Sequence, residues 1–109
     1  MNKFFALCLV ACMGCTDSDA AEKYTILVFS SENCAPCRQY EPVVRQLQAE
    51  GWPIRLYKDE HGLAQQYGVS AYPTTCVVDP RGRVVWSHVG YISLDQARVY
   101  LNKYRKHLQ

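Results

Sequence analysis

The chain has 109 residues, 49% of them hydrophobic and 20% charged, with a formal net charge of +2 at pH 7. That length suits one small domain with a single core, and the charge is spread without a basic block, which leaves nucleic acid no electrostatic footprint. Six cysteines fall into two unlike groups: Cys8, Cys12 and Cys15 near the start, and Cys34, Cys37 and Cys76 in the remainder.

Cys12-x-x-Cys15 and Cys34-x-x-Cys37, with eighteen residues between them, reproduce the spacing of a zinc ribbon. The first pair, however, lies in a different kind of segment. Met1-Asn2-Lys3 is a short positive start, and an apolar run follows from Phe4 to Gly14. This run is too short for a bilayer, which takes roughly 20 residues, and it has the flank and length of a signal-peptide core. A segment threaded into a membrane supplies no ligands to a soluble metal site, so no zinc ribbon is expected. Leu9-Val10-Ala11-Cys12 resembles the bacterial lipoprotein signal, in which aliphatic and small residues precede the cysteine that receives lipid. The resemblance implies that Cys12 becomes the acylated first residue of the mature chain and anchors it to a bacterial membrane in the periplasm. Cys15 is a second candidate with a poorer match before it, and cleavage after Ser18-Asp19-Ala20 is the non-lipid alternative. Either route takes the domain out of the cytoplasm. Residues 1–22 are thus expected to be leader and polar tether, and residues 23–109 the folded domain.

Tyr24-Thr25-Ile26-Leu27-Val28-Phe29 is a continuous apolar and β-branched run that fits a strand buried on both faces, and Ser30 to Asn33 is a polar turn. From Pro36 onward, Tyr40, Val43, Val44 and Leu47 recur at helical spacing up to Gly51, with Pro42 inside the helix and expected to bend it. Pro53 to Tyr57 alternates like a second strand, and Leu63, Ala64 and Tyr67 mark a short helix ended by Gly68. Cys76-Val77-Val78 and Val84-Val85-Trp86, joined by Asp79-Pro80-Arg81-Gly82, form a hairpin. Ser93-Leu94-Asp95-Gln96 opens the last helix as a capping box, with an apolar stripe of Leu94, Ala97, Leu101, Tyr104 and Leu108. The order β-α-β-α-β-β-α predicts an α/β fold, a mixed sheet with helices on both faces.

Cys34-Ala35-Pro36-Cys37 stands where the first strand's turn meets the first helix. Two thiols at this spacing suit either one disulfide or half of a metal site. With Pro42 five residues beyond, Tyr67-Gly68-Val69-Ser70-Ala71-Tyr72-Pro73-Thr74 some forty residues on, and Val89-Gly90 after the hairpin, the chain resembles the thioredoxin family from about Tyr24 to Tyr104. The resemblance implies the family's minimal core fold, with only a tether before Tyr24. It further implies a redox-active Cys34–Cys37 disulfide and a cis-proline at Pro73 facing it, with Tyr72 and Pro73 binding substrate. Two positions depart from the family: Asn33 stands where many members carry tryptophan, and Val28 where thioredoxins keep a buried aspartate for proton transfer. Proton handling then falls to Glu32 or to a water.

A sulfur at a helix N-terminus meets free amides and the positive end of the helix, so the Cys34 thiol is expected below the free value of about 8.5. Cys34 is then the nucleophile that forms a mixed disulfide, and Cys37 is the resolving thiol. Cys76, in the expected central strand, is read as a small core residue. Trp52 and Trp86 are read as packing residues and Arg38 and Lys58 as solvated charges, while His61, His88 and His107 share no ligand-like spacing. The expected function is a monomeric thiol-disulfide oxidoreductase acting on periplasmic protein disulfides. Pro36 before the second cysteine resembles reducing members of the family, which implies a reductant that needs a membrane electron donor and no bound cofactor. The rivals are an oxidase or isomerase, a soft-metal module that delivers Cu(I) through the same two thiols, and a non-catalytic envelope-assembly domain.

Overall fold

The structure, a computed structural model, describes residues 23–108. The proposed leader, its lipidation candidate Cys12, Cys15 and the cleavage position near Ala20 lie outside the described residues. Among the described residues, four strands and four helices follow in the order β1 (Thr25–Ser30), α1 (Ala35–Ala49), β2 (Ile54–Lys58), α2 (His61–Gln66), β3 (Thr74–Val78), β4 (Val84–Val89), α3 (Leu94–Asn102) and α4 (Arg105–Leu108). The sheet order is β2-β1-β3-β4, with β1 and β2 parallel and the other two pairings antiparallel. This is the mixed sheet expected from the order of elements.

Central β1 is buried on both faces, as its unbroken apolar run requires. Because side chains alternate along a strand, Ile26 and Val28 face one way and Leu27 and Phe29 the other. Ile26 and Val28 join the larger core, with Tyr40, Val44 and Leu47 of α1, Ile54 of β2, Ala97 and Leu101 of α3, and Leu108 of α4. Leu27 and Phe29 join the smaller core, with Ala64 of α2, Val69, Cys76 and Val78. One sheet face is thus covered by α1, α3 and α4 and the opposite face by α2. Each large apolar side chain fully buried in this way contributes about 1.5–3 kcal/mol relative to exposure.

Local signals account for the boundaries. The Asp79 carboxylate accepts the N–H groups of Arg81 (2.9 Å) and Arg83 (2.8 Å), which shapes the β3–β4 turn, and Gly82 supplies its positive φ of 84°. Ser93 Oγ caps α3 by accepting the Gln96 N–H at 3.2 Å. Helix α1 runs unbroken through Pro42, which lies on the exposed face and has no N–H to donate to the Arg38 carbonyl one turn back.

The single last helix expected from the apolar stripe is in fact two. The chain turns at Lys103 and Tyr104, and α4 then brings the His107 carbonyl to the Tyr24 N–H at 2.7 Å while the two rings stack 4.4 Å apart. The break satisfies a backbone donor just ahead of β1 and lets Leu108 reach the core. Trp52 is buried beneath the guanidinium of Arg105, and Trp86 packs at the core's edge against Tyr100, so both tryptophans are packing residues. Among the described residues, no helix is long and apolar enough to cross a membrane.

Candidate active site

Strand β1 ends at Ser30, and a three-residue turn delivers Cys34 to the start of α1. Cys34 is the N-cap, extended at φ −146° and ψ 108°, and its sulfur accepts the Cys37 N–H at 3.3 Å. A sulfur thus takes the place that a Ser or Asp oxygen fills at an ordinary helix start. Pro36 occupies the second helical position, one later than the sequence suggests but still among those whose N–H has no intrahelical partner. Cys34 and Cys37 form a disulfide with Cα atoms 5.2 Å apart, within the normal range for such a bridge. Cys34 is partly exposed and Cys37 fully buried.

The Tyr72–Pro73 peptide is cis, as the resemblance implied. The Tyr72 carbonyl oxygen lies 3.7 Å from Cys34 Sγ, so the segment ahead of β3 faces the disulfide. Two contacts hold that segment: Gly90 N–H donates to the Pro73 carbonyl at 2.7 Å, and Thr74 Oγ1 donates to the Ala71 carbonyl at 2.7 Å. Gly90 has φ 104°, a conformation that favours glycine, which explains the residue after Val89. Val89 and Tyr91 on either side of it are exposed, which places apolar surface beside the cis-proline.

The position read as lacking an acid is apolar in fact. Val28 is buried in the larger core with Tyr40, opposite Thr75 in the register of β1 and β3. Glu32 is exposed; its backbone N–H donates to Asp59 Oδ1 at 3.1 Å and its carbonyl accepts from Arg38. A half-buried carboxylate near the site is Glu41, one helical turn beyond Cys37 on the same face of α1. Its side chain is 12% exposed, accepts from Ser30 Oγ at 3.3 Å and pairs with Lys58 Nζ at 3.1 Å. Lys58 is therefore an ion-pair partner rather than a merely solvated charge. Sequence reasoning missed this group, although the i, i+4 relation to Cys37 and the Glu41-Pro42 pair were visible in it.

Asp59 and His61 are two further residues that spacing alone did not reveal. Asp59, at φ 58°, lies where Asp is tolerated better than most residues, and its Oδ1 also accepts from Ser31 Oγ at 3.1 Å. It thereby braces the turn that carries Cys34. Cys76 is buried in the smaller core, and desolvation pushes its thiol up to about 11, which suits a small core residue rather than a nucleophile. Among the described residues, no three His, Cys, Asp or Glu side chains are grouped as a metal ion would require.

A family model described as a thioredoxin-like domain matches residues 16–105. The chain belongs to the thioredoxin-like family. Relatives include the protein disulfide-isomerase of Oryctolagus cuniculus, 41% identical over an alignment of 63 residues that covers 50% of this chain and 12% of that protein. The thioredoxin of Chlamydia caviae is 37% identical over 62 residues, 53% of this chain and 61% of the relative. The thioredoxin-like protein YneN of Bacillus subtilis is 28% identical over 103 residues, 66% of this chain and 59% of the relative. The chain therefore spans less than two thirds of each of these relatives. In fold, it is similar to the reduced thioredoxin pre-protein of Schistosoma mansoni, with a TM-score of 0.66 at 22% identity over 88% of this chain and 89% of the other. A thioredoxin-like fold with its disulfide at the head of α1 supports redox chemistry at Cys34 and Cys37.

Proposed function

We propose that this thioredoxin-like protein is an exported thiol-disulfide oxidoreductase that reduces protein disulfides through Cys34 and Cys37. The observation that carries the proposal is the Cys34 sulfur at the N-cap of α1, taking the Cys37 N–H and facing the Tyr72 carbonyl ahead of cis-Pro73. In the reduced protein, the same N–H and the helix N-terminus favour the Cys34 thiolate. That thiolate attacks one sulfur of a substrate disulfide, forming a Cys34–substrate bond as the substrate S–S bond breaks and one substrate thiolate leaves. Cys37 then gives up its proton and attacks Cys34 Sγ. The Cys34–Cys37 bond forms, the second substrate thiolate departs, and two electrons have passed to the substrate.

Glu41 is the base we assign to Cys37, in the role that Val28 cannot perform. Tyr72 and Pro73 form the docking strand, where the main chain of an extended substrate pairs alongside. The dithiol is the working group and no other cofactor is called for. Export and anchoring through Cys12, and a membrane electron donor to regenerate the dithiol in an oxidising compartment, complete the proposal.

The experiment is insulin-disulfide reduction by the full chain in the presence of a thiol donor. The wild type should accelerate it and Cys34→Ser should abolish the effect. Stoichiometric tight Cu(I) binding with no insulin reduction would replace the enzyme with a soft-metal module. Direction follows from equilibration against glutathione, where a potential near about −270 mV marks a reductant and one near about −120 mV an oxidant. Intact-mass analysis of the mature protein tests the anchor, and an unacylated N-terminus near Ala21 would overturn it.

A further inference from the structure

His61 opens α2 on the rim of the site. Its Nδ1 lies 2.8 Å from the Tyr72 hydroxyl, with the rings edge to face at 5.5 Å. On its other side, Nε2 is 3.9 Å from Asp59 Oδ1, the atom that holds Ser31 Oγ and the Glu32 N–H. Contacts thus run from the turn carrying Cys34 through Asp59 and His61 to Tyr72, whose carbonyl returns to Cys34 Sγ at 3.7 Å. The chain of contacts closes on the reactive sulfur.

This arrangement has little to do with holding the fold together. The His61 side chain is 63% exposed, and polar contacts between such solvated groups contribute little to stability. What the contact fixes is position. Tyr72 is half-buried against the smaller core with Leu63 and Tyr67, so its ring lies toward α2 while its carbonyl faces Cys34. Pinning the hydroxyl at the far end of the ring limits how the residue turns about its own backbone. The phenol both donates and accepts, so the bond persists whichever way the imidazole is protonated.

We propose that His61 is a positioning residue for the docking strand, one that governs protein substrates in particular by holding Tyr72 where an extended chain can pair beside Cys34. The inference rests on the oxidoreductase function proposed above. A small disulfide with no main chain to align makes no use of the docking strand, whereas a protein substrate does.

The test uses the full chain as wild type, His61→Ala, His61→Asn, Tyr72→Phe and the double variant His61→Ala/Tyr72→Phe. Steady-state reduction of insulin is compared with reduction of a small aromatic disulfide, and thermal unfolding is recorded for each. His61→Ala should raise the KM for insulin about fivefold, the size of effect one positioning hydrogen bond carries, and lower the ratio of insulin to small-disulfide activity. The double variant should be no worse than the worse single one, because both remove the same bond. His61→Asn should restore most of the loss, since an amide atom on Cγ takes the place of Nδ1. An unchanged insulin KM in His61→Ala, additive losses in the double variant, or equal losses on both substrates with a lower unfolding midpoint would each overturn the proposal while wild-type activity stands. A wild type inactive on both substrates overturns the oxidoreductase function itself.

Discussion

Cys34 and Cys76 show how placement decides what a thiol does. One sulfur caps a helix and accepts an amide N–H; the other lies in an apolar core that pushes its thiol up to about 11. After reduction, alkylation of the folded protein at pH 8 should label Cys34 rapidly and Cys76 only on unfolding, as peptide mapping would read. Comparable labelling of both in the folded protein would remove the distinction. Glu41 carries the second expectation at this scale. Glu41→Gln should slow release of the mixed disulfide by about a hundredfold, the lower end of general-base effects, and leave the first attack by Cys34 intact, which stopped-flow kinetics separates. That Cys34, Cys37, Tyr72 and Pro73 lie together was legible through the resemblance of their segments to the thioredoxin family, since the Cys-x-x-Cys spacing alone also suits a metal half-site. Glu41 and His61 were not, since their partners come from the ends of other elements. Ser30 and Lys58 become neighbours only through the parallel register of β1 and β2, and His61 meets Tyr72 only once α2 is folded beside the cis-proline segment.

Helix α1 is where fold and chemistry join. Its first turn holds the disulfide and its second anchors to the sheet through Tyr40, whose hydroxyl pairs with Thr75 Oγ1 at 2.8 Å in a buried setting. Burial is the larger influence on that phenol and raises its pKa, while the Thr75 bond acts in the opposite direction. Tyr40→Phe should destabilise the protein by about 1–2 kcal/mol in urea unfolding, because Thr75 is left without its partner in the core. A neutral result would mean that water reaches Thr75. Strand β1 could be read from its unbroken apolar run and helix α1 from its apolar residues at helical spacing. The split of the last helix could not, because the stripe of Leu101, Tyr104 and Leu108 continues across it, and the bond from the Tyr24 N–H to the His107 carbonyl that accompanies the split joins residues far apart in sequence.

Across the whole molecule, two apolar clusters on opposite faces of one sheet hold the core, and charged clamps tie its outer helices. The Arg98 guanidinium bonds to Glu50 just beyond the end of α1, 48 residues away in sequence. The Arg98 hydrogen bond is the main reason the Glu50 carboxyl falls from 4.5 to about 2. A carboxylate depressed in the folded state stabilises above its unfolded pKa and loses that contribution as protons bind. The clamp is therefore at full strength above pH 4.5 and weakens as pH falls toward about 2. Glu50→Gln should flatten the pH dependence of stability across that window, and an unchanged acid profile would contradict it. The order of elements and the mixed sheet were legible at this scale because such an order admits few arrangements, whereas the strand order β2-β1-β3-β4 was not read from it and clamps such as Arg98–Glu50 depend on which helix ends meet. The most direct test of Cys34 as nucleophile and Cys37 as resolving thiol is mass spectrometry of the reduced Cys37→Ala full chain mixed with a disulfide-bonded protein. The expected result is a stable mixed disulfide mapped to Cys34. An adduct on Cys76, or no adduct while the wild type still reduces the same substrate, would contradict it.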